Sequence, residues 1–405
     1  MKVIVVGGGA AGIFGAIHCA ELNQELQVTV LEAGCQLLGK VKISGGGRCN
    51  VTHHCFQPPE LVQYYPRGGR TLTGAFTRFQ PQDTIAWFTA RGVKLKTETD
   101  GRVFPVTDDS QTIIDCLLNS ATKAKVKLVT NTSVKVVEHI NNRFTLELNN
   151  GKQLDCDRLL LATGSNPSGY RFAQHLGHSI QPPVPSLFTL TIKDQRLQGL
   201  AGLSVSNATI TLNSEKGKIT QTGPILITHW GLSGPAVLKL SAWGARILSE
   251  HNYKMSVVIN WLPPENPESL KQKLLQLKTS LAKKRIPSFS PLELPKRLWQ
   301  SLIEVIGIPE TTTWSELSKQ KIQQLSQELT QGRFQIQGKG VFKEEFVTCG
   351  GVSLQEIDFK TMESKICRGL YFAGEIIDID GITGGFNFQN AWTTGWLAGK
   401  GIATL

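Results

Sequence analysis

The glycine motif at the start of the chain constrains the fold more than any other feature of the sequence. Gly7, Gly9 and Gly12 fit the pattern G-x-G-x-x-G. The motif follows a short apolar segment, residues 2–6, and precedes residues 13–23, in which apolar side chains recur at helical spacing. A second apolar, β-branched segment comes next. This order predicts the first β-α-β unit of a Rossmann-like α/β fold, whose sheet is parallel.

Each glycine of the motif has a separate physical role. Gly7 allows a tight turn, Gly9 lets the diphosphate of a dinucleotide approach the backbone, and Gly12 lets the helix pack closely on the strand. The helix N-terminus contributes free N–H groups and a positive partial charge. Glu32 closes the second strand 20 residues after Gly12, where its carboxylate can accept hydrogen bonds from ribose hydroxyls. The motif therefore predicts a dinucleotide site.

A second glycine-rich segment, residues 44–50 (SGGGRCN), follows the first β-α-β unit. Three consecutive glycines suit a backbone that lies against a flat ring or a phosphate, where a Cβ would collide. Arg48 is a candidate phosphate ligand, and Ser44 and Asn50 are candidates to hydrogen-bond the polar edge of a ring. The segment favours FAD over NAD as the bound dinucleotide.

A third glycine-rich segment lies near the C-terminus. An apparent strand leads to Gly374 and Glu375, and two glycines, the second of them Gly385, precede a predicted helix with Asn387 as its N-cap. A helix N-terminus that faces the N1–C2=O edge of a flavin stabilises the anion formed on reduction. This segment also favours FAD.

Taken together, these segments resemble the HI0933-like flavoproteins, NAD(P)- and FAD-dependent oxidoreductases also described as the BaiN/RdsA or YhiN type. The resemblance spans nearly the whole chain, and SGGGRCN and AGE…GGFN are its specific parts. It implies a two-dinucleotide-binding-type flavoprotein fold with non-covalent FAD, an inserted β-barrel and a helical subdomain, and NAD(P)H as transient electron donor. The segments that carry it are residues 3–12, 43–52, 161–164, 228–236, 372–375 and 384–387.

Carried over by position, the resemblance implies a set of residues that line the FAD. Val134 would touch the adenine through its backbone. Residues 165–169, which follow the segment ending at Gly164, are expected to form a short loop that is trimmed relative to many members of the family. The full set is Gly7, Gly9, Ala11, Gly12, Glu32, Lys40, Ser44, Gly46, Gly47, Arg48, Asn50, Val134, Thr163, Gly164, Gly374, Glu375, Gly385, Phe386 and Asn387.

The pattern of apolar residues changes twice along the chain and predicts three parts. Residues 1–184 and 335–405 form the FAD-binding α/β domain. Residues 185–263 contain several strand-like segments and predict an inserted, mostly β, barrel-like domain. Residues 264–334 are rich in Lys, Gln, Glu and Leu with proline-bounded helical segments, which predicts a small helical subdomain.

Two other uses of the same region remain open. Cys49 and Cys55 could act as the dithiol of a flavoenzyme, although five residues separate them where the related enzymes have four, and a reactive pair also needs a lowered thiol pKa. Cys49, His53, His54 and Cys55 could be a metal cluster. Four ligands within seven residues do not match the paired spacings of structural zinc, so no metal site is predicted.

No motif identifies a catalytic side chain. Arg48, His229 and Tyr371 are candidate proton donors, but no spacing rule selects one of them. Residues 231–235 (GLSGP) resemble a hydrolase nucleophile elbow, but a proline stands where the last glycine belongs. Ser233 is predicted instead to cap a helix that begins with Pro235.

Composition bears on partners and compartment. The chain has 43 Lys and Arg against 32 Asp and Glu, a net charge of +11, which can favour polyanions. Because basic and aromatic residues do not alternate as in RNA-recognition motifs, nucleic acid is not the favoured partner. A flavin-carrying accessory protein or a nucleic-acid-interacting protein, either of them without turnover, stays an alternative. No segment predicts a membrane span or a secretion signal, and the eight cysteines are scattered. This predicts a reduced, cytoplasmic protein.

The sequence thus predicts an FAD-dependent oxidoreductase. NAD(P)H would reduce the flavin, and a small organic acceptor would reoxidise it. A conjugated C=C bond, as in an enone, is the acceptor that the family resemblance suggests.

Overall fold

The computed structural model describes residues 1–215, 217–340 and 347–404. The chain divides into two compact units, one of Met1–Val184 with Val347–Leu405 and one of Pro185–Phe346. The finer predicted division of the inserted part near residue 263 stays a prediction. Within the described residues every helix is too short or too polar to cross a bilayer.

The helices and strands are named in chain order. Up to the end of the first segment they are β1 (Lys2–Val6), α1 (Ala10–Leu22), β2 (Gln27–Leu31), α2 (Gly39–Ile43), β3 (Thr52–His53), α3 (Pro58–Leu61), α4 (Gly69–Phe76), α5 (Pro81–Ala90), β4 (Leu95–Thr97), β5 (Arg102–Pro105), α6 (Gln111–Lys123), β6 (Lys127–Val129), β7 (Val134–Ile140), β8 (Arg143–Leu148), β9 (Gln153–Cys156), β10 (Arg158–Leu161), α7 (Pro167–His175) and β11 (Ile180–Ser186). The second unit contains β12 (Leu190–Thr191), β13 (Ser204–Ser214), β14 (Gly217–Thr228), β15 (Gly231–Ser233), α8 (Pro235–Trp243), α9 (Ala245–Glu250), β16 (Ser256–Asn260), α10 (Pro267–Ser280), α11 (Lys296–Val305), α12 (Lys319–Gln331), β17 (Gly332–Gln335) and β18 (Gly338–Lys339). The first unit resumes with β19 (Val347–Val352), β20 (Ile357–Asp358), β21 (Glu363–Ser364), β22 (Leu370–Phe372) and α13 (Phe386–Ala403).

The main sheet of the first unit has the strand order β20-β21-β22-β10-β1-β2-β6. The five strands from β22 to β6 run parallel, so their carboxyl ends lie at one edge. Buried apolar residues on both faces, such as Val3–Val6 of β1, suit a parallel sheet covered by helices. Two three-stranded sheets, β3-β5-β4 and β7-β8-β9, flank it. The predicted Rossmann-like α/β fold is confirmed.

Small residues let helices and strands of the first unit approach closely. A Cβ on Gly12 would lie 2.0 Å from the carbonyl oxygen of Gly7, so only glycine fits where α1 meets the turn after β1. The same holds where α13 packs on α1. A Cβ on Gly395 would lie 2.7 Å from the Ala11 carbonyl oxygen, and one on Gly399 would lie 2.5 Å from the carbonyl oxygen of Gly15.

The second unit is a mostly β unit with helices packed on it. Its sheet has the order β17-β16-β13-β14-β15-β12-β18, and neighbouring strands are antiparallel. One face of the sheet contributes Ile210, Leu212, Ile259 and Phe334 to a buried core that also includes Trp299 of α11. The alternation of these apolar residues with polar ones along each strand leaves a polar opposite face.

Three local predictions are wrong at helix starts. The segment expected as a loop after Gly164 contains the first turn of α7, because the Asn166 side chain accepts a hydrogen bond from the Ser168 N–H and Pro167 occupies the first helical position. α13 is capped by Gly385 rather than Asn387.

The third concerns α8, which is capped by Gly234 rather than Ser233, since Ser233 ends β15. At both glycine caps the backbone has a positive φ, +92° at Gly385 and +94° at Gly234, which other residues rarely adopt. Asn387 instead lies inside α13 and exchanges two hydrogen bonds with the backbone of Gly381, at 2.9 and 2.8 Å.

Candidate dinucleotide-binding site

The glycine turn between β1 and α1 leaves open space above the helix N-terminus. A Cβ built on Gly9 meets no heavy atom within 4 Å, whereas one on Gly7 would lie 2.3 Å from the Ala162 carbonyl oxygen. α1 has neither a side-chain cap nor an acidic residue in its first turn. The free N–H groups there and the positive end of the helix dipole suit a diphosphate.

Glu32 stands at the carboxyl end of β2 with its carboxylate fixed by the backbone. Its two oxygens accept hydrogen bonds from the N–H groups of Gly8 and Gly34, each at 2.8 Å. Each oxygen keeps a lone pair, so the carboxylate can still accept from ribose hydroxyls. The Thr132 N–H donates to the Glu32 carbonyl oxygen at 2.8 Å, which brings the chain that leads into Val134 to this corner of the sheet. Val134 begins β7 and pairs with β8.

An ion pair joins α2 to the segment that follows β22, and the same lysine also contacts the segment that follows β10. Lys40 Nζ of α2 lies 2.5 Å from Glu375 Oε2 and 3.4 Å from the Ser165 hydroxyl. The other Glu375 oxygen accepts from the Thr348 N–H at 2.9 Å. The Lys40 side chain is 57% exposed, so its attraction to Glu375 is weakened by water. Gly164 is adjacent, since its Cβ would be 3.6 Å from Glu375 Oε2.

Two further predicted residues follow β22 and β10, and the first of them, Gly374, packs against α1. A Cβ on Gly374 would lie 2.8 Å from the Ala11 Cβ, and the Gly374 N–H donates to the Thr394 hydroxyl at 2.9 Å. The Thr163 hydroxyl is buried and has no hydrogen-bond partner within the described part of the chain. An unsatisfied buried hydroxyl is unusual, and here it lies next to the predicted cofactor residues.

The 44–50 segment forms a turn in which Gly45, Gly46 and Gly47 all have positive φ, at +58°, +70° and +86°. Side chains at Gly46 and Gly47 would point into open space. The Asn50 side chain connects this turn to the start of α13. Its amide, oriented so that every group finds a partner, accepts from the Gly385 N–H and donates to the Thr52 carbonyl, both at 2.9 Å. Two segments more than 300 residues apart thus form one surface.

Arg48 has carboxylate partners that the sequence did not indicate. Its guanidinium lies 2.7 Å from Glu98 and 3.5 Å from Asp108, and it stacks over the Phe104 ring at 4.0 Å. The hydrogen bond that Arg48 donates to Glu98 raises the pKa of Arg48 further. A phosphate at Arg48 would therefore compete with two carboxylates. Ser44, at the start of the turn, donates its hydroxyl to the Val41 carbonyl at 2.9 Å.

Phe386, the first residue of α13, lies in an aromatic stack. Its ring packs against Tyr64 at 4.4 Å and against His53 at 4.7 Å between centroids, with interplanar angles of 11° and 24°. The Tyr65 hydroxyl donates to the Phe386 carbonyl oxygen at 2.7 Å. The sequence analysis missed Tyr64 and Tyr65, because they lie in a segment without a motif.

The cysteine pair lacks the chemistry of a dithiol site. Cys49 is buried at a residue with φ +61°, and burial raises its pKa to about 12. Burial also raises the pKa of Cys55. A thiolate is the reactive form, so at neutral pH neither cysteine is activated. Within residues 1–215, 217–340 and 347–404, no group of three His, Cys, Asp or Glu side chains is placed to hold a metal ion.

The three candidate proton donors belong to different parts of the chain, two to the first unit and one to the second. Tyr371 is buried within β22, opposite Leu160 of β10, and burial raises its pKa strongly. It therefore lies inside the sheet rather than at the carboxyl edge. His229 belongs to the second unit, where it is exposed in the connection between β14 and β15. Of the two candidates in the first unit, Arg48 follows the glycine turn of residues 44–47 and lies beside the predicted cofactor residues.

The residues of this edge fit FAD. The open, uncapped α1 terminus offers N–H donors to a diphosphate, Glu32 offers acceptors to a ribose, and the second glycine turn joined to α13 offers a flat backbone surface. Substitution of Gly9 is the most direct test of this FAD site, because a side chain there would occupy the open space above the N-terminus of α1.

Comparison with known proteins agrees with the Rossmann-like fold described above. The family model described as "HI0933-like protein Rossmann domain" matches residues 1–401. A "Ribosomal RNA dihydrouridine synthase" of Haemophilus influenzae is 32% identical, covering 99% of this chain and 98% of that protein. A "3-dehydro-bile acid delta(4,6)-reductase" of Clostridium scindens is 28% identical, covering 99% of each chain.

Among solved structures, a 3-ketosteroid-delta4-(5alpha)-dehydrogenase from Rhodococcus jostii aligns over 98% of this chain and 97% of its own with a TM-score of 0.52. At 14% identity this likeness supports the fold alone.

Proposed function

The chain belongs to the HI0933-like family and is an FAD-dependent oxidoreductase, and we propose that it uses NAD(P)H to reduce a C=C bond conjugated with a carbonyl group. Two kinds of relative support this class of acceptor. Dihydrouridine is uridine with its ring C=C bond saturated, next to a carbonyl. The second relative is named for reducing a 3-dehydro-bile acid, and the double bonds at positions 4 and 6 that it reduces are likewise conjugated with a ketone.

The observation that carries the FAD-binding part of the proposal is the open space at Gly9 above the uncapped start of α1. In the proposed complex the N–H groups of this turn hold the diphosphate, the Glu32 carboxylate holds the adenosine ribose, and the Val134 backbone meets the adenine. Bound FAD supplies hydride transfer between donor and acceptor. The net reaction consumes NAD(P)H, one proton and the C=C bond, and yields NAD(P)⁺ and the saturated product.

The other predicted residues would lie around the flavin ring of FAD. The first N–H groups of α13 would face the polar edge of the flavin, and Asn50, whose side chain accepts from the Gly385 N–H, would hold them there. The positive end of α13 would stabilise negative charge there. Lys40 and Glu375 would border the site at the ends of α2 and β22.

Uridine in RNA is the acceptor we favour. A second "Ribosomal RNA dihydrouridine synthase", from Escherichia coli, is 30% identical over 98% of this chain. The net charge of +11 also suits a polyanionic substrate. The lack of an RNA-recognition motif in the sequence does not argue against this substrate, because an enzyme that acts on one base does not need such a motif. The same proposal places the protein in the cytoplasm, where RNA and NAD(P)H are both available.

Anaerobic flavin reduction tests the donor, and RNA analysis tests the acceptor. The FAD-loaded protein is mixed with NADH or NADPH, and loss of the oxidised flavin absorbance is followed. Deproteinised ribosomal RNA from cells that lack the protein is then added, digested, and analysed by mass spectrometry for nucleosides that have gained two hydrogens. Flavin that neither nucleotide bleaches would remove the proposed donor.

A 3-oxo steroid with conjugated double bonds is the second candidate acceptor, supported by the bile-acid reductase relative. Its reduction abolishes the ultraviolet absorbance of the conjugated system, so the same reduced enzyme can be tested with it directly. Turnover of the steroid with RNA left unchanged would select this second candidate over uridine.

A further inference from the structure

We propose that a groove on the polar face of the second unit's sheet binds the sugar–phosphate backbone of RNA. The proposal rests on the proposed function only in naming RNA as the polymer. The groove has a volume of about 350 Å³ and lies over β13, β14, β16 and β17. Its lining includes Thr209, Thr211, Asn213, Lys218, Thr220 and Arg333.

Hydroxyl groups cover the floor of the groove. Thr211 pairs across the strands with Thr220, at 3.1 Å between hydroxyl oxygens, and Thr209 pairs with Thr222 at 2.8 Å. A hydroxyl can donate one hydrogen bond and accept two, so each pair keeps capacity for an incoming ligand. Phosphate oxygens and ribose hydroxyls are the partners that such a surface suits.

Two cations stand over this hydroxyl surface. Lys218 and Arg333 line the groove and are exposed, and no acidic side chain is among the lining residues. Neither cation forms an ion pair with any residue in the parts of the chain that the structure describes. Their charges therefore face solvent without a carboxylate to neutralise them, which favours an anionic ligand.

The charge of the whole unit favours a polyanion over a small anion. Residues 185–346 hold 20 of the 43 Lys and Arg but only 12 of the 32 Asp and Glu, so they carry +8 of the net charge of +11. A polymer can neutralise many of these charges at once and release its condensed counterions. A mononucleotide would reach only those at the groove.

The chemistry of the lining also indicates which part of RNA is bound. No aromatic side chain lines the groove, so it offers no surface on which bases can stack. Contacts from Thr, Asn, Lys and Arg to the backbone position a nucleic acid without reading its sequence. We therefore infer sequence-independent binding that depends on salt.

The test compares two variants that lose the same charge from the same unit. Lys218→Gln with Arg333→Gln removes both groove cations, and Lys193→Gln with Lys319→Gln removes two exposed lysines outside the lining. Binding of fluorescently labelled oligouridine to the FAD-loaded proteins is measured by anisotropy at salt concentrations from about 50 to about 200 mM. FAD content and melting temperature verify that each variant is folded.

The groove variant should lose about 1.4 units from the slope of log K against log salt concentration, since each phosphate contact to a single strand contributes about 0.7. Across the fourfold salt range, its affinity should thus change about sevenfold less than that of the wild type. The control variant should keep a slope close to the wild-type value.

Two results would overturn the inference. One is a groove variant with the wild-type slope and affinity. The other is an equal loss in the control variant, which would mean that binding depends on net charge rather than on the groove. Failure of the proposed function is separate: wild-type protein that binds oligouridine through the groove but reduces no uridine would leave the inference standing.

Discussion

Replacement of Gly9 by Glu should remove FAD binding while leaving the fold intact. Gly9 has φ −83° and ψ −172°, a conformation open to any residue, and its Cβ position has no neighbour within 4 Å. The folded protein can therefore accept the side chain. A carboxylate at the start of α1 even interacts favourably with the helix dipole, by about 0.3–1 kcal/mol.

The expected loss of affinity follows from charge. A carboxylate about 4 Å from a phosphate charge repels it by about 4 kcal/mol at an effective dielectric constant of about 20. This corresponds to roughly a thousandfold weaker binding of FAD. Gly9→Gln has nearly the same volume without the charge, so it separates repulsion from steric filling of the site. Gly9→Ala adds a single methyl group and should have the smallest effect.

Thermal unfolding with and without FAD measures both consequences. At an FAD concentration about a thousand times its dissociation constant, the wild-type protein should gain about 4 kcal/mol, and Gly9→Glu should gain almost nothing. The melting temperatures of the two apoproteins should agree or favour the variant. FAD affinity unchanged by Gly9→Glu would refute the placement of the diphosphate. An unfolded apoprotein would refute the claim that the space at Gly9 is open.

Three other predictions concern neighbouring residues. Gly12→Ala should lower the melting temperature of the apoprotein, because its Cβ would lie 2.0 Å from the Gly7 carbonyl oxygen. Burial lowers the pKa of His18 from 6.5 to about 4, so on acidification the unfolded chain takes up this proton at a higher pH than the folded chain does. The free energy of unfolding, measured in urea, should therefore fall by about 3 kcal/mol as the pH decreases from the unfolded pKa of His18 to its folded pKa. His18→Gln should flatten that dependence. The double variant Cys49→Ala/Cys55→Ala should keep NAD(P)H-dependent flavin bleaching; its loss in a folded, FAD-loaded variant would restore the dithiol mechanism.

The sequence predicted those parts of the site that depend on local chain order. The glycine turn and Glu32 lie within one β-α-β unit, so their spacing alone places them at one end of α1. The parallel sheet then brings the residues after β10 and β22 to the same edge. The start of α7 is also predictable from local chain order, since Asn166 is a capping residue and Pro167 a first-turn proline, and these two residues outweigh the loop that the family resemblance implies.

Long-range partners were beyond what the sequence can show. Glu98 and Asp108 belong to no motif, and only folding brings their carboxylates to Arg48. The hydrogen bond from Gly385 to Asn50 links segments that no spacing rule relates. The predictions of the helix N-caps were wrong for another reason. At Gly385 the chain requires a positive φ, and that requirement outweighs the general preference for Asn as an N-cap.

The backbone contact between α1 and α13 has a consequence for biosynthesis. A ribosome makes α1 at the beginning of the chain, yet the helix that covers it, with Gly395 and Gly399 against the α1 backbone, is made nearly 400 residues later. The contact between these two helices can therefore form only after the whole of the second unit, residues 185–346, has been synthesised. The surface that the Asn50 turn shares with the start of α13 is likewise completed only after α13 has been made.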